Sequence, residues 1–218
     1  HHASPGWDSP APGAPMPGIA TSDSSQVTRS GCQNYNCVDG NPKVIETPAA
    51  ADTSTYFHFG SLDWRQLTAM ANKIVTGNVQ GIGPTTANGA CNTADFRNFG
   101  EPNKANGGPC LDYYPIIYSS GNLTLNTGRG QGILLVEGDL QVQGGFEFYG
   151  PVIVRGTLKT AGTGGHFNGG VMAANVDLDQ NVVIGNALIS FSRCAILKAL
   201  NASAQLATAT ERAWYEVY

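Results

Sequence analysis

One short pattern returns along residues 115–178, and it restricts the fold more than any other feature of the chain. Its copies are 115–125, 132–142, 150–160 and a looser 170–178. Gly121, Gly138 and Gly156 lie 17 and 18 residues apart, and Asn175 follows after 19. Each copy holds an apolar run (Ile116-Ile117, Ile133 to Val136, Val152 to Val154), then a residue that tolerates positive φ, then an alternating x-Leu-x-apolar stretch. A fixed period of about 20 residues marks a solenoid. Each unit is too small to bury a core alone and stacks on its neighbour. The expected fold is mainly β, a right-handed parallel β-helix of about four coils. It carries one packed α-helix and a disulfide-stapled loop.

Stacking predicts ladders. Leu123, Leu140 and Leu158, with Leu178 as the fourth, form one inward column, and Leu125, Val142 and Thr160 form its neighbour. Equivalent positions in parallel coils sit ~4.8 Å apart. On the outside Glu137 falls beside Arg155 and Gln141 beside Lys159. The first pair is an opposite-charge rung worth well under ~1 kcal/mol if exposed. Second-side strands are expected at 146–149, 165–167 and 182–184, behind Gly-rich corners such as Gly144-Gly145 and Gly164-Gly165.

Around this centre the chain divides into a Pro-rich arm (1–25), a capping and irregular segment (26–112), the solenoid (113–193) and a C-terminal helix and strand cap (194–218). Five prolines fall in the first seventeen residues, which favours extended backbone and no core. Short strands are expected at 26–29, 43–46 and 55–59. The helix is expected over 62–76, capped by Ser61 and closed by Gly77, with Trp64, Leu67, Ala71, Ile74 and Val75 as its apolar stripe. It would cover an end or flank of the solenoid. Residues 78–112 read as an irregular Gly/Asn/Pro-rich connection. The tail 194–200 reads as a short closing helix, followed by a strand at 213–218.

A loop as long as 78–112 needs a staple, and Cys91 with Cys110 supplies one. Closing a loop of about 20 residues stabilises by roughly 3 kcal/mol in the chain-entropy account. Cys32 with Cys37 would make a second bridge and leave Cys194 as a buried thiol. The alternative, zinc, lacks paired C-x-x-C knuckles: 4, 53, 18 and 83 residues separate the successive cysteines. An oxidised, extracytoplasmic protein is the expectation.

Charged residues make up 13% of the chain and the net charge is −4, which excludes the basic face of a nucleic-acid binder. No run of ~18 apolar residues marks a membrane span. The chain starts at His1 without Met or a signal peptide, as a processed chain would. Asn122-Leu123-Thr124 and Asn201-Ala202-Ser203 fit the glycosylation sequon, a match that an Asn/Thr-rich chain produces by chance.

Cys110-x4-Pro115-Ile116-Ile117-Tyr118, the Gly121 to Leu125 stretch and Gly128-Arg129-Gly130-Gln131-Gly132-Ile133-Leu134-Leu135-Val136 resemble bacterial pilus-assembly PilX-like proteins. Phe148-Tyr149-Gly150, Val152 to Gly156 and Gly170 to Asn175 continue the similarity, which runs from Ala14 onward. That family resembles type IV minor pilins with a C-terminal β-solenoid. The resemblance implies an exported bacterial protein of the cell surface or of a filament.

Polysaccharide-cleaving β-helices need carboxylates converging on one face. Here Glu137, Asp139, Glu147, Asp177 and Asp179 are spread over different coils, and His166 reads as a corner residue. No nucleophile elbow, P-loop or zincin motif occurs. The expected function is therefore a non-catalytic extracellular structural subunit, pilin-like or filament-forming, with no cofactor or metal. Its partners would be its own copies or pilus subunits, without membrane insertion. Assembly would run through the N-terminal arm, anchored by Trp7, Met16 and Ile19, because an apolar-poor arm orders only against contacts outside itself. The alternative is an adhesion module whose aromatics (Tyr113, Tyr114, Phe146, Tyr149) meet carbohydrate or protein. A polysaccharide-degrading enzyme comes third.

Overall fold

A computed structural model describes residues 17, 19–21, 23–28, 40–47, 63–102, 108–178 and 188–212. In chain order come β1 (Ile19–Thr21), a 3-10 turn (Ser24–Gln26), β2 (Val27–Thr28), β3 (Val44–Glu46) and helix α1 (Trp64–Ala69). Strands β4 (Lys73–Ile74), β5 (Gly77–Ile82), β6 (Thr86–Ala87) and β7 (Ala90–Cys91) follow. After them run β8 (Ile116–Ser119), β9 (Leu123–Gln131), β10 (Ile133–Val136), β11 (Leu140–Gln143), β12 (Phe146–Ala161), β13 (Gly165–Leu178), β14 (Leu188–Phe191) and helix α2 (Arg193–Arg212).

The strands build a parallel β-solenoid with three faces. The first face stacks β4, β8, β10 and the middles of β12 and β13. The second stacks β5, the start of β9, β11 and the ends of β12 and β13, and β2 closes it. The third stacks the end of β9, the starts of β12 and β13, and β14. Residues 116–131, 133–149 and 151–169 make three full turns, flanked by part-turns, so the solenoid has about three turns rather than four. Rungs also begin earlier than the repeat suggests, because β4 and β5 precede residue 113.

The inward columns follow the expected register. Leu140 pairs with both Leu123 and Leu158, and Val142 with Leu125 and Thr160. One assignment changes: Val176, not Leu178, continues the leucine column, and Leu178 falls beside Thr160. A register shift between Val154 and Thr157 offsets the rungs by one residue. Such a bulge moves every later side chain one place along. On the third face Phe148 lies between Gly130 and Phe167, and Ile189 follows Phe167. These side chains form the continuous interior core. Val182–Ile184, expected as a rung, lies outside the described residues, and Leu188–Phe191 takes the top of this face.

The first face is buried on both sides, which explains its unbroken apolar runs. Ile116, Ile133, Leu135 and Ile153 point outward and are covered by Trp64 and Leu67 of α1 and by Ala199 of α2. The helix thus lies on a flank, but it is shorter than expected. Asp63 caps it, accepting from the Gln66 amide while the Gln66 side chain reaches back to the Asp63 N–H. It ends at Met70, because Lys73 and Ile74 pair with β8 and Val75 turns into the core. The expected irregular connection 78–112 is likewise part solenoid: β5 belongs to the second face and β6–β7 is a hairpin. Helix α2 runs to Arg212, well past Leu200; the expected strand 213–218 lies outside the described residues.

Candidate functional site

Each face offers a different exterior. At the corner between the first and second faces, side chains bind the rung above. Asn122 Oδ1 accepts from the Asp139 N–H (2.9 Å), and Asp139 Oδ1 accepts from the Thr157 N–H (2.8 Å). Lys159 Nζ donates to Asp139 Oδ2 at 3.1 Å. The Thr157 amide, and after it Lys159, holds the Asp139 carboxyl below the usual carboxylate range. Nearby, Glu137 accepts from Trp64 Nε1 (2.7 Å) and pairs with Arg155, the rung expected from the register. Arg155 also lies over the Trp64 ring, 5.9 Å from its centroid. Both carboxylates thus fasten structure.

The third face carries an outward row of neighbours, Arg129, Glu147 and His166, in one register column. The next column is roofed. Gln131 is buried and donates to the carbonyls of Leu111 (2.8 Å) and Tyr113 (3.0 Å), holding the chain around 108–114 against the solenoid. Tyr149 is buried beside Ala195 and Tyr114. Burial, then the nearby Asp112 and Cys194, pushes the Tyr114 hydroxyl up to about 12, and burial also raises Tyr113. Phe146 lies in the interior core. Of the four aromatics expected on an adhesive platform, Phe146, Tyr149 and Tyr114 are therefore packing groups, while Tyr113 is half-buried with Lys73 Nζ 5.7 Å from its ring centroid.

The first turn is interrupted twice. After Ile82 the chain leaves the solenoid, returns at Phe99 and leaves again before Pro115. Phe99 occupies the third-face column below Gly130: its carbonyl accepts from the Gln131 N–H (2.7 Å), and a Cβ on Gly130 would meet Phe99 Cβ at 2.6 Å. The Cys91–Cys110 disulfide joins the two excursions on either side of this plug. Buried Asn98 donates to the carbonyls of Thr85 (3.2 Å) and Asn92 (2.8 Å) and approaches both sulfurs. Buried Lys73 donates to the carbonyls of Thr93 (3.0 Å) and Asp95 (2.7 Å), and desolvation lowers its pKa. No sequence motif marks Asn98 or Lys73.

The second face is open. Asn78, Gln80, Thr124, Asn126, Gln141, Gln143, Lys159 and Ala161 point outward on consecutive rungs, half-buried or exposed. This surface was not marked out by any motif, although Gln141 was placed beside Lys159.

Of the other expected site residues, Ile19 is nearly buried in β1 and pairs with Val44 of its own chain. Trp7, Met16, Cys32, Cys37 and Asp179 lie outside the described residues. Cys194 is a half-buried thiol rather than half of a disulfide. Among the described residues no three His, Cys, Asp or Glu side chains converge as a metal set, and no helix is long and apolar enough to cross a membrane.

Fold and surface together define a disulfide-stapled parallel β-solenoid with one face sheathed by helices, one partly roofed and one open and polar. No family model, curated protein or solved structure matches this chain.

Proposed function

We propose that this chain is a non-catalytic structural subunit, exported to the cell surface and filament-forming or pilin-like, that assembles through its N-terminal segment. The observation that carries the reading is the use of its carboxylates: Glu137 clamps Trp64 and Arg155, and Asp139 bridges Thr157 and Lys159. Two carboxylates of the kind that a β-helix enzyme would aim at a substrate are here tied into the wall of the solenoid. The disulfide supports an oxidising compartment, where such bonds persist. The pilin-like placement rests on the sequence resemblance to PilX-like proteins.

Ile19 is engaged with its own chain, so the assembling tie is assigned to the stretch before it, with Trp7 and Met16 as anchors. An arm laid across a neighbour makes a heterologous contact, and such contacts run on into filaments unless they close. Electron microscopy of the full chain should show filaments, and a chain lacking residues 1–16 should stay folded and monomeric. A full chain that remains monomeric at high concentration sinks the assembly reading. Adhesion is the second reading, and the open second face favours it.

A further inference from the structure

We propose that the second face is a docking surface for a neutral polysaccharide chain. This rests on the adhesion reading, and not on filament assembly. Its outward side chains form two columns. Asn78, Thr124, Gln141 and Lys159 make one, and Gln80, Asn126, Gln143 and Ala161 the other. Rungs repeat every ~4.8 Å, and successive outward residues along a strand lie ~6.6 Å apart. The face is thus a small lattice of amides and a hydroxyl.

Three properties select the partner. First, the surface offers no unpaired cation among the described residues: its one cation, Lys159, is held by Asp139 at the corner, and the residue that follows Lys159 in register on β13 is the acidic Asp177. Nucleic acids and acidic polysaccharides need unpaired cations. Second, the outward side chains described on it include no aromatic or large aliphatic group, the anchors around which protein interfaces are built. Third, among the described residues the side chains of Asn78, Gln80, Thr124, Asn126, Gln141 and Gln143 have no hydrogen-bond partner. Each amide offers a carbonyl acceptor and two N–H donors. Sugar hydroxyls both donate and accept, so one amide can satisfy adjacent hydroxyls in either sense. A periodic neutral polymer meets the same pair of columns on each rung. Many weak contacts then add along one rigid surface.

Other exteriors are less open to such a partner. The first face lies under the two helices, and one column of the third is roofed by 108–114 and α2.

The test is co-sedimentation of the full chain with insoluble cellulose, chitin and β-1,3-glucan, with polygalacturonate as the acidic comparison. Binding to at least one neutral polymer is expected, and it should survive ~1 M NaCl, where charge attraction is screened. The triple variant Thr124→Ala/Gln141→Ala/Gln143→Ala should bind about tenfold more weakly with an unchanged thermal midpoint, because these side chains point into solvent. Glu147→Gln, on the third face, should bind like the parent. Lack of binding to all three neutral polymers overturns the proposal. So does a preference for polygalacturonate, or a triple variant that binds as tightly as the parent. Filaments formed by the triple variant would show that assembly stands apart from this surface.

Discussion

Glycine does two different jobs in this solenoid, and they occupy two different columns. Gly121, Gly138 and Gly156 stand out in the sequence as the repeat marker, but none of them adopts positive φ. Their reason is space. A Cβ on Gly138 would strike the Asn122 carboxamide and come within 2.8 Å of the Asn122 backbone nitrogen; one on Gly156 would strike Asp139 and lie 2.7 Å from the Gly138 carbonyl oxygen. The corner ladder of Asn122 and Asp139 therefore needs a bare Cα on the rung above. Gly132, Gly150 and Gly169 form the other column, with φ of 112°, 136° and 150°, and each crowds a carbonyl of the rung below. Gly121 sits at the base of its column with nothing within 4 Å. Gly121→Ala should thus stay within ~0.5 kcal/mol of the parent, whereas Gly138→Ala should cost about 1–3 kcal/mol as backbone is pushed aside. Urea denaturation of both variants measures the difference, and equal stabilities would remove the ladder as the cause.

At the scale of elements, the repeats were legible because their ladders are spaced by nearly constant intervals: Leu123, Leu140 and Leu158 announce the second face without ambiguity. The first turn was not legible. Phe99 and Gly130 are adjacent in space but 31 residues apart in the chain, since two excursions flank Phe99, and no period survives that. The helix end was hidden for a different reason. Trp64, Leu67, Ala71, Ile74 and Val75 satisfy helical spacing, yet pairing of Lys73 and Ile74 with β8 outweighs a weak local preference. Ile74 is consequently 58% exposed while Val75 is buried. The open amide face went unmarked because Thr, Asn and Gln on alternate positions look like any solvated strand.

The disulfide had a spacing signal, but its task emerges only with the plug. Phe99→Ala should cost about 3–5 kcal/mol, the range for emptying a buried aromatic site. Replacing Cys91 and Cys110 together by Ser should cost about 3 kcal/mol on the chain-entropy account. Because the bridge holds the excursions that position Phe99, the two losses should be less than additive when combined. Denaturation of the single, paired and combined variants would test this, and strict additivity would separate the bridge from the plug.

For the whole molecule, the N-terminal part of the chain closes the C-terminal end of the solenoid. Val27 and Thr28 of β2 pair in parallel with Val176 and Asp177 of β13, and Val27 is buried. The first and last thirds of the sequence therefore share a rung, although the turns between are wound from consecutive residues. In a solenoid each rung contacts only its neighbours, so stability is close to a sum of local rung and interface contributions. Removing β2 strips one partner from the end of β13 and leaves the pairings of β9 with β11, and of β11 with β12, as they were. Local opening should then respond by position rather than globally. A chain lacking residues 1–28 should lose amide protection chiefly over 175–178, because 166–169 keep their pairing with β14. Residues 123–126 and 140–143 should exchange as in the full chain. Hydrogen exchange read by mass spectrometry distinguishes the outcomes. A uniform loss of protection across all rungs would mean that the solenoid opens as one cooperative unit and that β2 supports more than the rung it touches.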